Sequence, residues 1–237
     1  DFFSAADPET FRIELGRLLT AFFDTTASAT GLDFNVATIE EEGALVFSSS
    51  FESNGWAGDL VASTYGTGSN GLPQEETGNE NKGWSARSVL ESAVPDNRTI
   101  LTWDGSDGQP FRWGSLTMAQ KADLNSGAPL LGERRLEYLR GKSKSEIAAS
   151  DPDEAKYFRD RTYRLGAIVN STPRYVGVPD SGWPNDMPGA SKYSEFYNSN
   201  LDRTPVVYVG SNDGMLHGFR ATDNDAGGGE ELVAYVP

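Results

Sequence analysis

The chain has 237 residues, among them 26 Gly and 12 Pro, too many turn formers for a helical bundle and too few for a collagen-like or disordered chain. Its 20 Lys and Arg against 35 Asp and Glu leave a formal charge of −15, which argues against a nucleic-acid partner, because phosphate neutralisation needs a clustered basic face. With no Cys and a single His, His217, the chain has no disulfide scaffold, thiolate zinc site, iron–sulfur ligation or multi-histidine metal centre.

Residues 7–24 read as a helix. Asp7 is placed to cap it, Pro8 takes its first position, and Phe11, Leu15, Leu18, Leu19 and Phe22 recur on one face. From residue 32 the period becomes two, and Glu41-Glu42-Gly43 stands where a hairpin turn belongs before a strand at 44–47. Residues 56–62 form another strand, residues 66–83 a long polar excursion, and residues 84–90, 98–103 and 111–113 three further short strands. This spacing suits a sandwich, a barrel or a propeller. Helical patterning follows at 117–124 and 131–140 inside an insertion that runs to about residue 160, with a third helical patch at 192–197.

The final stretch is the most informative. Residues 204–210 are an apolar strand, Asp213-Gly214 supplies the positive φ of a tight turn, and residues 215–221 return antiparallel. After the Gly-rich turn at 223–229, residues 231–237 read as a third strand that stops without a partner. Three such strands are most of one four-stranded propeller blade. The opening at Asp1, with neither Met nor a signal-type segment, and this closing strand both read as limits within a longer protein. No apolar run approaches the ~18 residues a membrane-spanning helix needs.

Val207-Tyr208-Val209-Gly210-Ser211-Asn212-Asp213-Gly214-Met215-Leu216-His217-Gly218-Phe219 resembles the hairpin repeat of quinoprotein-type propellers. Three segments taken in order narrow the resemblance: Tyr163-Arg164-Leu165-Gly166-Ala167-Ile168-Val169-Asn170-Ser171-Thr172-Pro173, that hairpin, and Gly229-Glu230-Glu231-Leu232-Val233-Ala234-Tyr235-Val236-Pro237. Together they resemble the C-terminal propeller domain of the PilY/PilC family, the type IV pilus tip-associated adhesins and biogenesis factors. Trp56-Ala57-Gly58-Asp59-Leu60, Arg98-Thr99-Ile100 and Leu139-Arg140-Gly141 are similar to further motifs of that family.

The resemblance implies a mainly β fold: a partial β-propeller with helical insertions and an N-terminal helix. It divides the chain into a helical lead-in at residues 1–30 and an incomplete propeller at residues 31–237, with the helical insertion at about 115–160. It also implies a secreted, non-catalytic segment at the cell surface, pilus tip or outer envelope, supporting pilus assembly, extension, twitching motility and adhesion. The implied partners are type IV pilins or minor pilins, with host or surface receptors reached through a region absent here. No cofactor is implied within the segment. Family members carry an EF-hand-like calcium loop that this chain lacks, so calcium belongs to the full-length protein, past Pro237. The alternatives are a quinoprotein-dehydrogenase-like enzyme and a generic secreted ligand-binding propeller.

Candidate chemistry within the chain is sparse. Asp104 and Asp107, around Gly105 and Gly108, could offer two carboxylates to calcium, as could Asp223 and Asp225 before Glu230. A turn in which Asp caps backbone N–H groups explains the same residues. His217 alternates with Met215 and Phe219 on one side of its strand, as a packed or hydrogen-bonded core histidine would, and no nucleophile or second base is spaced to suit it. Glu40-Glu41-Glu42 and Glu75-Glu76 read as solvated turn acids.

Overall fold

The structure, a computed structural model, describes residues 31–34, 44–52, 55–68, 72–77, 82–127, 130–150, 152–179, 181–187 and 192–237. The expected helix at 7–24 and the turn acids at 40–42 lie outside the described residues.

Two sheets share one core. The first is built from β1 (Gly31–Phe34), β2 (Ala44–Glu52), β3 (Ala57–Thr67) and β4 (Pro73–Glu75) in sequential antiparallel order, with the two-residue β5 (Trp84–Ser85) also on β3. The second has six strands: β6 (Ile100–Trp103), β7 (Gly108–Pro110), β8 (Arg174–Val176), β9 (Val206–Gly210), β10 (Leu216–Arg220) and β11 (Glu231–Val236), ordered β7-β6-β11-β10-β9-β8. Period-two alternation turns Leu45, Phe47, Leu60 and Ala62 of the first sheet toward Val207, Val209 and Phe219 of the second, and Leu165 and Ile168 are buried in the same cluster. Phe47 anchors this interior, stacked on Tyr175 with ring centroids 6.0 Å apart and tilted against Trp84 at 5.8 Å.

Helices close the ends. α1 (Ala86–Ser92) follows β5; α2 (Met118–Leu124), α3 (Gly132–Arg140), α4 (Lys144–Ser150) and α5 (Pro152–Ala155) lie between β7 and β8; α6 (Tyr193–Ser199) precedes β9. Leu136 of α3 joins Ile100, Phe111, Leu116, Met215 and Ala234 in a second cluster. Thr117 caps α2 in a reciprocal box with Gln120. No helix among the described residues is long and apolar enough to cross a membrane.

Four sequence expectations are corrected. Residues 84–90 form a strand for only two residues and then turn into α1. Ser85 Oγ accepts from Ser88 N at 3.1 Å, and Asp59 on β3 accepts from both Ser85 Oγ (2.8 Å) and Arg87 N (3.1 Å), so a partly exposed helix start is fixed by a residue of another strand. Burial pushes the Asp59 carboxyl pKa up against these hydrogen bonds. Ser85→Ala is expected to lower unfolding free energy by about 1 kcal/mol, read from the urea midpoint at constant slope. Residues 111–113 are not a strand either: β7 is Gly108–Pro110, and Trp113–Ser115 is a 3₁₀ turn.

The last three strands belong to a larger sheet than one blade. β11 does find a second partner, pairing parallel with β6 through Ala234↔Ile100, Tyr235↔Leu101 and Val236↔Thr102. The face of this sheet turned away from the core is apolar. Leu216, Tyr235 and Leu101 stand directly opposite one another across β10, β11 and β6, with Trp103 further along β6, and they remain 45%, 37%, 37% and 52% exposed.

Candidate functional site

The site forms where the second sheet meets the segment at 165–168. That segment runs between β3 and the β9–β10 turn at backbone distance: Gly58 N donates to Leu165 O (3.1 Å), Ala167 N to Trp56 O (3.1 Å) and Asn212 N to Ala167 O (2.9 Å). Two glycines permit the approach. A Cβ on Gly58 would lie 2.1 Å from Gly166 O, and one on Gly166 would lie 2.5 Å from Asp213 N. Gly166 N also donates to Asp213 Oδ2 at 3.2 Å, so the glycine holds the carboxylate as well as making room for its backbone. Gly166→Ala is expected to cost about 1–3 kcal/mol through this overpacking, seen as a lowered melting temperature.

Asp213 begins a chain of buried charges. His217, with no exposed surface and stacked on Phe219 at 5.7 Å, donates Nε2–H to the Asp213 carboxylate (3.1 Å to each oxygen) and Nδ1–H to Glu231 Oε1 (2.8 Å). Glu231 in turn accepts a two-pronged bond from Arg98, Nε at 2.6 Å and Nη2 at 2.8 Å. Arg98 Nη1 donates to Arg140 O (2.7 Å), and Arg140 Nη2 donates back to Arg98 O (3.1 Å). Arg140 also donates to Phe111 O (3.1 Å) and Pro95 O (3.2 Å), leaving its Nε buried with no hydrogen-bond partner among the described residues.

These neighbours decide the protonation states. Burial favours the neutral imidazole, yet the Asp213 charge and the hydrogen bonds donated to both carboxylates outweigh it and lift the His217 pKa to about 9. Burial likewise favours neutral carboxyls, but the imidazolium and the Ser211 and Gly166 donors hold Asp213 at about 2, while Arg98 and His217 hold Glu231 at about 2. Arg140 is depressed to about 10, first by burial and then by the Arg112 and Arg98 charges. Two cations, Arg98 and His217, thus alternate with two anions, Glu231 and Asp213, and balance them, while Arg140 adds a further positive charge held by backbone carbonyls.

Ser211 Oγ lies 3.2 Å from His217 Nε2, so Ser211, His217 and Glu231 stand in the order of a hydrolase triad. Proton abstraction needs a free nitrogen lone pair on the imidazole. Here both ring nitrogens donate to carboxylates, the Ser211 hydroxyl is given to Asp213, and Glu231 is shared with Arg98. The arrangement therefore serves as an ionic clamp tying β6, β10, β11 and the β9–β10 turn together.

Sequence reading placed His217 correctly as a buried, hydrogen-bonded residue but missed its partners: a nucleophile-type hydroxyl and two carboxylates do surround it. A usable signal was present, since Asp213 precedes His217 by four residues and Glu231 opens the strand paired with it. The metal candidates are not brought together. Asp104 Oδ1 accepts from Ser106 N and Asp107 N, both at 2.8 Å, and those backbone bonds lower its pKa; Asp107 is exposed on the same turn. Asp223 caps a 3₁₀ turn through Ala226 N (2.9 Å), and Asp225 pairs with Lys82 at 2.5 Å. Among the described residues no three His, Asp or Glu side chains are grouped to hold a metal ion.

The clamp meets solvent at Asp213, which lines a cleft of about 360 Å³ with Trp56, Tyr138, Arg159, Arg161 and Tyr163. Arg161 stacks over the Tyr138 ring at 4.2 Å and donates to Tyr138 O (2.7 Å) and Lys142 O (3.0 Å).

Two sheets, antiparallel but for the β6–β11 pair, share a core and are fastened by buried charge, which defines a β-sheet scaffold. Residues 165–237 match the family model described as the PilY1 beta-propeller domain. The whole chain aligns at 31% identity over 263 residues with the type IV pilus biogenesis factor PilY1 of Pseudomonas aeruginosa strain PAO1, and equally with that of strain PAK. It aligns at 31% over 240 residues with a PilY1 homolog of Xylella fastidiosa, again along its full length. The chain is similar to PilY1 proteins along its whole length, and it spans 20% of the length of the Pseudomonas relatives and 17% of the Xylella relative. No solved structure matches it.

Proposed function

We propose that this chain is a non-catalytic, propeller-type segment of a type IV pilus biogenesis factor, acting at the cell surface or pilus tip to support pilus assembly, extension and adhesion. The observation that carries the reading is the alignment of the whole chain with proteins named as type IV pilus biogenesis factors. The uncovered row of Leu216, Tyr235 and Leu101 adds to it, because a radial array buries both faces of each inner sheet against its neighbours. On this reading the chain contributes adjoining sheets to a ring completed by the longer protein, residues 1–30 lead into it, and the helices between β7 and β8 are an insertion. Its partners are pilins or minor pilins. No cofactor sits within the segment, and any calcium is bound elsewhere in the full-length protein.

The test is an electron-microscopic count of surface pili in a strain whose parent gene lacks the codons for residues 1–237. Loss of pili that return when retraction is also disabled is the expected result. Normal pili and normal twitching would refute the assignment.

A further inference from the structure

A second cleft, of about 370 Å³, opens between the segment after β8 and α6, with Val178, Pro179, Trp183 and Phe196 in its walls. Tyr193 and Arg203 line it too, and the Tyr193 Oη and Arg203 Nε atoms are buried without a hydrogen-bond partner among the described residues. Both can donate, and the guanidinium is permanently charged. No Asp or Glu among the described residues pairs with Arg203. An orphaned buried donor is a standing cost in the free protein, and an incoming acceptor removes it. The same stretch of chain exposes Met187, Tyr197 and Leu201 alongside Trp183 and Phe196, and aromatic residues, Met and Arg are the side chains enriched in the buried centres of protein interfaces.

We propose that this groove binds the C-terminal carboxylate of a partner protein whose last side chain is aromatic or branched apolar. The carboxylate accepts from Arg203 Nε–H and Tyr193 Oη–H, and the side chain lies against Trp183 and Phe196. Charge complementarity selects an anion, and the flat apolar walls select the group that carries it. Both donor atoms are covered in the free chain, so the acceptor reaches them as the groove walls part, which the slender end of a chain can bring about. This inference does not depend on the pilus reading.

The test titrates the chain with N-acetyl-phenylalanine and, separately, with its neutral amide, following tryptophan fluorescence with Trp183→Phe as the reference. The acid should bind saturably and the amide at least tenfold more weakly. Arg203→Gln should bring the acid down to the level of the amide, and Tyr193→Phe should weaken the acid several-fold. Equal binding of acid and amide, saturation by neither, or an acid preference that survives Arg203→Gln would each overturn the proposal. The comparison of acid with amide uses the unaltered chain, so it decides the matter even where a variant fails to fold.

Discussion

Glu231→Gln is expected to lower the free energy of unfolding by about 3–5 kcal/mol, the usual cost of removing one partner from a buried ion pair. Gln keeps the volume and a hydrogen-bonding carbonyl, so the loss isolates the charge. Without it the guanidinium of Arg98, whose side chain is 4% exposed, loses its carboxylate, and the wholly buried imidazolium of His217 keeps Asp213 alone. The preceding residue supplies the control. Glu230 bonds Arg220 at 2.8 Å with its side chain 58% exposed, so Glu230→Gln should cost less than about 1 kcal/mol. Urea unfolding of the two variants side by side measures the contrast, and similar losses for both would show that the buried chain of charges does not hold the sheet.

The same network should give stability a plateau with two falling limbs. The His217 pKa is raised from 6.5 to about 9 in the folded chain, so its contribution is complete below pH 6.5 and is lost as pH rises through about 9. Asp213 and Glu231 are depressed from 3.8 and 4.5 to about 2, so their contribution is complete above pH 4.5 and is lost as pH falls through about 2. Maximum stability is expected between those limits, near pH 5–6. The alkaline limb is on the order of 3 kcal/mol deep, about 1.4 kcal/mol for each unit by which His217 is raised. His217→Gln should flatten that limb and lower the plateau. Melting temperatures recorded from pH 4 to 10 for both chains test the sign, and an alkaline fall unchanged in the variant would place its origin elsewhere.

What the sequence made legible is what neighbouring residues decide. The β9–β10 hairpin follows from Asp213-Gly214 at its turn, with Gly214 at φ +89°, and the α2 start from Thr117 as its N-cap. Residues 84–90 were misread because Trp84 and Val89 favour strand locally, while the decisive cap on α1 comes from Asp59 on β3. The β6–β11 pairing left no local trace, since strand periodicity fixes which face a residue takes but not which strand lies beside it. The candidate site was half legible for the same reason. His217 sits on an apolar strand and reads as buried, whereas Glu231 looks like a strand-edge acid and Arg98 like a lead-in residue until the sheet brings them together.

β11 lies in the middle of its sheet, although it is the final strand of the chain, and the Arg98–Glu231 bond that accompanies it joins residues 133 apart in sequence. Folding is correspondingly late and non-local. A chain delivered amino terminus first can complete the first sheet early, but β6, already paired with β7, must wait for the last residues before it gains β11 on its other side. During that interval the edge of β6 is open to other strands, so the hazard of mispairing is greatest just before synthesis of this segment ends.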